Sequence, residues 1–362
     1  MCDWPALRVV HVNDVAFVAS TLADAQRRRG ASASVVHPAT PLAAMPYPWK
    51  VATFPLRGIP LVAAAIRLRR ADRPIIHVHY ATSGITAILS RRPFAIHCHG
   101  SDVRGLRIGS LRTRYLAWVL KRASLVLYAT PDLAADVLRL RTDAVFLPNP
   151  IDVATFSPGP GGNRDVLLAS RLNTIKGTEV AVAGLVRFLE QRPAAKVTVV
   201  AAGLRVAWAR AALGDRVEWV RPVQHGAMPD LMRAHRVVLG QFKLGILSQL
   251  ELEALACGVP VITDFAFDSV YSSAPPLTQA STAMEVANAL VRLHDDELSR
   301  ARLGAESRDW VVRNHNALTV VDRLCSSYVA AGLVSAEPRE RAGSRSKSRI
   351  HHSDGPPAGP PP

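Results

Sequence analysis

The sequence predicts an α/β protein of two Rossmann-like, doubly wound parallel-sheet domains facing a cleft. Three observations carry this. Short apolar runs alternate with helical stretches along most of the chain, a Pro- and Gly-rich break divides that alternation in two, and 362 residues exceed one average domain but suit two.

The first domain, residues 1–148, opens with the strand LRVVHV, a helix from Ala16 to Arg29 closed by Gly30, and the strand SASVVH, a βαβ start. Buried strands follow at PIIHVHY, PFAIHCH, SLVLYAT and AVFLP, with helical stretches such as Leu111 to Arg122 and Asp132 to Leu140 between them. Near-continuous apolar strands of this kind belong to a parallel sheet covered on both faces. Residues 149–163 form a linker, because Pro150, Pro158 and Pro160 with Gly159, Gly161 and Gly162 interrupt any regular element. Asn149, in LPNPID, reads as a turn residue before proline.

The second domain, residues 164–310, repeats the pattern. DVLLAS leads to a helix at Thr178 to Glu190, then KVTVVAAG, a helix near Val206 to Leu213, RVEWV, a helix near Pro229 to His235, RVVLGQ and VPVIT. Residues 311–335 are predicted helical. The segment 336–362, AEPRERAGSRSKSRIHHSDGPPAGPPP, lacks apolar content and is expected to be disordered.

Charge is uneven. Residues 1–150 hold 20 Lys and Arg against 8 Asp and Glu, whereas residues 151–336 hold 19 against 18. A basic first half suits an anionic membrane surface, a phosphorylated acceptor or nucleic acid, unless it reflects an Arg-rich composition alone. Nucleic acid is not expected, for want of any helix-turn-helix, zinc-finger or aromatic RNA-binding pattern. No apolar run approaches the ~18 residues of a membrane span, and MCDWPALRVVHV has no signal-peptide pattern, so a cytoplasmic protein is expected, peripheral at the inner membrane face if it meets lipid. The cysteines Cys2, Cys98, Cys257 and Cys325 have no paired spacing, so neither structural zinc nor a disulfide is expected.

The stretch GILSQLELEALACGVPVIT, Gly245 to Thr263, carries the most chemistry. Ser248 and Glu251 form a capping box that starts a helix at Gln249, with free amides facing the preceding loop, an end that attracts phosphate. Glu253 sits in the first turns, within reach of a sugar hydroxyl, and Gly258 stops the helix. Arg171 and Lys176 bracket the loop after DVLLAS, two cations beside the helix that starts near Gly177 and suited to a diphosphate. Strand alternation puts His97 and His99 on one face of AIHCHGSDV, with His99 at the strand end, and Asp102 is read as holding the turn. His77 and His79 alternate likewise, but no carboxylate accompanies them and no metal site is assigned. Asn13 and Asp14 follow the first strand, and the amides of Val15 and Ala16 open the next helix as a phosphate or acceptor loop.

Gly245–Thr263, AIHCHGSDVRG (Ala95 to Gly105) and LPNPIDVATFSP with LLASRLNTIKGTEVA (Leu147 to Ala181) together resemble the family-four retaining glycosyltransferases of the GT-B fold, across most of residues 7–330. The resemblance implies a nucleotide diphosphate sugar as donor substrate, no cofactor and no metal. It implies that Arg171 and Lys176 hold the diphosphate and stabilise the leaving nucleotide, that Glu253 grips the ribose, and that His99 lies beside the donor sugar. It also implies that 311–335 cross back over the first domain. The family's first acid would fall at position 245, which is Gly245 here, leaving the sugar to the backbone of Gly245, Ile246 and Leu247 or to Ser248. The expected activity is metal-independent transfer of a hexose or related sugar to an unidentified acceptor, by front-face attack through an oxocarbenium-like state. Rival readings are epimerisation or pseudo-glycosyl coupling on the same scaffold, and sugar-nucleotide binding without chemistry, the last motivated by Gly245.

Overall fold

Two six-stranded sheets, each all parallel, form the framework. The computed structural model describes residues 2–37, 54–70 and 74–334; the expected tail, 336–362, lies outside them. In the first sheet the strands β1 (Arg8–Val12), β2 (Ser32–Val36), β3 (Ile75–His79), β4 (Phe94–Cys98), β5 (Leu125–Tyr128) and β6 (Val145–Phe146) run in the order β2-β1-β3-β4-β5-β6. In the second, β7 (Arg164–Leu168), β8 (Val197–Val200), β9 (Glu218–Val220), β10 (His235–Leu239), β11 (Val261–Thr263) and β12 (Thr278–Gln279) run β12-β11-β10-β7-β8-β9. Every residue of β3 and β4 is buried, as expected of parallel strands with helices on both faces.

Each sheet reverses its strand order once, between β1 and β3 in the first and between β7 and β10 in the second. At such a reversal the loops beyond the carboxyl ends of neighbouring strands diverge and leave a crevice. The loop after β1 holds Asn13 to Ala16, and those after β7 and β10 hold Arg171, Lys176 and Gly245 to Ser248.

One face of the first sheet packs on helix α1 (Val18–Arg28) and on the final helix, Ala317–Ala330: Val9, Leu22, Ile75 and Leu127 meet Val320, Leu324 and Tyr328. That helix is therefore part of the first domain's core, although it follows the second domain in sequence. The turn before it is fixed by Ile151, whose N–H donates to the His315 carbonyl (2.7 Å) and whose carbonyl accepts from Ala317 (2.9 Å). The opposite face carries Ile76, Val78 and Ile96 against Leu116, Val119 and Leu120 of the helix Leu111–Arg122.

One expectation is overturned. Cys2 and Cys325 are joined as a disulfide, their Cα atoms 6.3 Å apart across 323 positions of sequence. Spacing rules look for nearby cysteines, whereas this pair meets only because the final helix returns to the N-terminus. No described helix is long and apolar enough to cross a membrane.

Candidate active site

The loop after β7 is held in shape by Asn173, whose side chain accepts from the Lys176 amide (3.1 Å), and by Gly177 at φ +69°. A Cβ on Gly177 would come within 2.8 Å of the Phe242 carbonyl carbon, so glycine is required both for the turn and for the approach of the β10 loop. Phe242 N–H in turn donates to the Lys176 carbonyl at 3.0 Å. The helix that follows, α6 (Thr178–Gln191), has no side-chain cap. Arg171 is exposed, Lys176 is half-buried, and neither meets a carboxylate among the described residues. Two unpaired cations thus stand beside an open helix end, an arrangement that attracts an anion.

Beyond β10 the chain turns through a loop fastened by buried Glu251. Its Oε1 accepts from Gln241 N–H (2.8 Å), and its Oε2 accepts from Ser248 N–H (2.7 Å) and the Ser248 hydroxyl, within the capping box of helix α9 (Gln249–Ala256). The Gln241 side-chain amide donates to the Ile246 carbonyl (2.6 Å), and the Gly245 carbonyl accepts from Ala266 (3.0 Å). Ile246 and Leu247 bury their side chains, so only their backbone is available to a ligand; among the described residues the amides of 245–247 donate no hydrogen bond. Gly245 has φ +65°, and a Cβ there would lie 3.1 Å from the Ala266 methyl. A side chain at this position would therefore be strained by its backbone and crowded against Ala266.

Glu253 is 3% exposed and accepts a hydrogen bond from His225 Nε2 at 2.7 Å. The His225 ring stacks face to face on Phe17 of the first domain, with centroids 4.0 Å apart and planes within 2°. Phe17, Thr21, Arg28, Asp152, His225 and Glu253 line a cavity of about 220 Å³ between the domains, and Arg28 and Asp152 pair there in bidentate fashion at 2.9 and 3.0 Å. Sequence reasoning missed both rings of the stack: His225 lies in VQHGAMPD, which matches no motif, and Phe17 reads as an ordinary helix-start residue. Phe17 is in fact held at φ +63°, just ahead of α1.

On the first-domain side, Asp102 is buried and ties the turn after β4, accepting from the amides of His99 (3.1 Å), Gly100 (2.8 Å) and Ala81 (2.9 Å). This leaves His99 half-buried at the strand end, with Nε2 hydrogen-bonded to His79 Nδ1 at 2.9 Å. Burial pushes the His99 pKa down to about 3, so it acts in this site as a neutral hydrogen-bonding group rather than a cation. At the start of α1, Asp14 accepts from the Ala19 amide (2.9 Å) and the Ser20 hydroxyl, placing a carboxylate at that helix end. Asn13, at φ +73°, accepts from the Asp14 amide (3.0 Å) and donates to the His79 carbonyl (3.3 Å). The Val15 and Ala16 amides lie in the turn between Asp14 and α1, and an anion approaching them meets the Asp14 carboxylate, which disfavours phosphate at this end.

Two family profiles match the chain in succession: Glycosyltransferase Family 4 over residues 15–155 and a glycosyl transferase-like profile over residues 180–326. The chain belongs to the family-four glycosyltransferases. HepE from Anabaena, solved in complex with UDP-glucose, is 15% identical, with a TM-score of 0.70 over 90% of this chain and 100% of that one. Sucrose-phosphate synthase from Thermosynechococcus elongatus is 20% identical, with a TM-score of 0.68 over 90% and 96% of the two chains. TarM from S. aureus is 11% identical, with a TM-score of 0.61 over 74% and 58%. At these identities the likeness establishes the GT-B fold. No curated protein sequence matches significantly.

Within this glycosyltransferase, the site residues divide between the two domains. The second supplies positive charge and the open end of α6, together with the loop and acid of α9. The first supplies neutral imidazole and the turn around Asp14.

Proposed function

We propose that this glycosyltransferase moves a sugar, with retention of anomeric configuration, from a nucleotide diphosphate sugar to an acceptor bound against the first domain. The observation that carries the reading is the pair of unpaired cations, Arg171 and Lys176, at the uncapped start of α6, next to the loop that leads into Glu253. Charge grows on the diphosphate as the glycosidic bond breaks, and fixed cations beside it stabilise that state without a divalent metal. Glu253 anchors the ribose, and its Oε1 exchanges the His225 contact for a ribose hydroxyl. The backbone amides of Gly245 to Leu247, with Ser248, take donor-sugar hydroxyls in place of the missing acid. His99 orients the sugar, and the leaving diphosphate accepts the acceptor's proton. Domain closure over the cavity at Phe17 and His225 excludes water.

A uridine diphosphate sugar is the first donor to test, as HepE is solved with UDP-glucose. The basic first domain favours an anionic or lipid-linked acceptor and contact with an anionic membrane surface. A thermal-shift screen of nucleotide sugars identifies the donor, and nucleotide release with a panel of acceptors, followed by NMR of the product anomer, tests transfer and its stereochemistry. A product of inverted configuration would refute the mechanism. The backbone at Gly245 favours a second reading, donor binding without transfer, and binding with no nucleotide release on any acceptor would select it.

A further inference from the structure

Beneath α1 and the final helix, the first sheet carries a stripe of five imidazoles: His11 on β1, His77 and His79 on β3 and His97 on β4 are buried, and His99, just after β4, is half-buried. Val9, Ile75 and Ala95 on the same face are ordinary core. The strands thus change from apolar to polar toward their carboxyl ends, where the cleft lies. No stability argument favours this, because each buried polar ring must find a partner or forfeit its solvation.

Three of the rings form a chain with Gln26, whereas neither ring nitrogen of His97 has a partner among the described residues. Gln26 Oε1 meets His11 Nε2 at 2.9 Å, His11 Nδ1 meets His79 Nε2 at 2.9 Å, and His79 Nδ1 meets His99 Nε2 at 2.9 Å. A neutral imidazole donates from one nitrogen and accepts at the other, so the state of the first link dictates the rest. An amide oxygen can only accept. His11 therefore carries its proton on Nε2 and accepts at Nδ1, His79 does the same, and His99 donates from Nε2. The other end of that amide, Nε2, is buried without a hydrogen-bond partner among the described residues.

We propose that Gln26, His11 and His79 are positioning residues that fix the tautomer of His99, holding its proton on Nε2 and presenting Nδ1 to the cleft as a lone pair for a ligand hydroxyl. Nδ1 of His99 has no partner among the described residues, and Asp102 fixes the backbone that carries it. The part of the proposal that concerns a sugar hydroxyl rests on the proposed function; the tautomer does not.

Metal binding is the competing use of the same rings. His11, His77 and His79, and likewise His79, His97 and His99, bring ligand nitrogens within 4.8 Å of one another. The shared nitrogens sit at N–H···N distance in pairs, and the rings of His79 and His99 are within 21° of coplanar with centroids 5.1 Å apart, the geometry of an in-line hydrogen bond. No carboxylate or thiolate joins either triad to offset the charge of a divalent ion.

The test is long-range proton–nitrogen correlation NMR of the full chain labelled with ¹⁵N-histidine, His99 being assigned by loss of its signals in His99→Gln. The wild-type protein without ligand is expected to show His99 protonated on Nε2 and bare at Nδ1. In Gln26→Leu the fixed acceptor is gone, the chain can reverse, and a population protonated on Nδ1 should appear; Gln26→Glu, an acceptor again, should restore the original state. Gln26→Leu is further expected to weaken the affinity for the intact nucleotide sugar about tenfold while leaving that for the nucleoside diphosphate unchanged. A wild-type His99 protonated on Nδ1, or zinc bound in equimolar amount through these rings, would overturn the inference. A correct tautomer in a protein that binds no nucleotide sugar would overturn the proposed function instead and leave the tautomer chain standing.

Discussion

Acidification from pH 7.5 to pH 5 should destabilise this protein well before its carboxylates titrate. His11 and His315 are fully buried, and burial pushes the pKa of each down to about 4. An unfolded imidazole titrates near 6.5. At pH 5 the unfolded chain has therefore gained both protons while the folded chain has gained almost none. Stability present above pH 6.5 is lost as pH falls toward the folded values, at ~1.4 kcal/mol per unit for each group, or roughly 2 kcal/mol for each by pH 5. His77, His79, His97 and His99 are depressed as well and act in the same direction. Asp102, raised by burial, acts oppositely. His11 and His315 alone give about 4 kcal/mol, a large fraction of an ordinary domain's stability of roughly 5–15 kcal/mol. Urea unfolding followed by circular dichroism is expected to show the midpoint falling by about 1.5 M between pH 7.5 and pH 5, for a slope of roughly 2–3 kcal/mol per M. An unchanged midpoint would mean that the rings are charged or wet in the folded state, and the reasoning would fail.

Arg171→Ala and Lys176→Ala should each weaken nucleoside diphosphate binding about ten- to a hundredfold by calorimetry and nucleoside binding hardly at all, and equal losses would contradict their assignment to the diphosphate. Glu253→Gln should weaken binding of the ribonucleotide more than that of its 2′-deoxy analogue, since the lost contact is to a ribose hydroxyl. Gly245→Glu should not raise transfer activity and should cost about 1 kcal/mol in denaturation, because a side chain at φ +65° beside Ala266 is strained. The intact protein should co-sediment with anionic vesicles at low salt and be released at high salt, and sedimentation indifferent to vesicles would remove the membrane reading.

Much of the fold was legible because parallel strands are short, apolar and separated by helices with clear ends. The helices Leu111–Arg122 and Val206–Leu213 begin and end where the sequence places them, and α9 starts at Gln249 as its capping box requires. The two-residue strand β12 went unread because it is too short to show periodicity. Arg171, Lys176 and Glu253 could be singled out in the sequence through motifs tied to a strand–loop–helix unit, and their roles remain those proposed above. Phe17, His225, Gln26 and His11 were not, because their roles exist only after folding: 28 positions separate His225 from Glu253, and 68 separate His11 from His79. The strand alternation that placed His77 with His79 and His97 with His99 on common faces was the one available signal for the cluster. It lacked the third strand, which sheet order alone could supply.

The division of charge across the cleft has a consequence for how the proposed donor would lie. Were His99 an imidazolium, it would compete with Arg171 and Lys176 for the diphosphate, and a donor bound backwards would gain nearly as much electrostatic energy as one bound correctly. Depressed to about 3, His99 has no such pull at neutral pH, and Asp14 at the start of α1 adds a carboxylate that repels phosphate from that helix end. On this proposal the diphosphate is drawn to the loop of Arg171 and Lys176 and the uncharged sugar is left facing imidazole, so orientation follows from the charges lining the cleft, not from the net charge of each domain. Placing a cation at the first-domain side tests this directly: Asp14→Lys should strengthen binding of the free nucleoside diphosphate while lowering kcat, as donors settle in the wrong direction. A variant that binds more tightly and turns over as fast as the parent would show that charge asymmetry does not orient the donor.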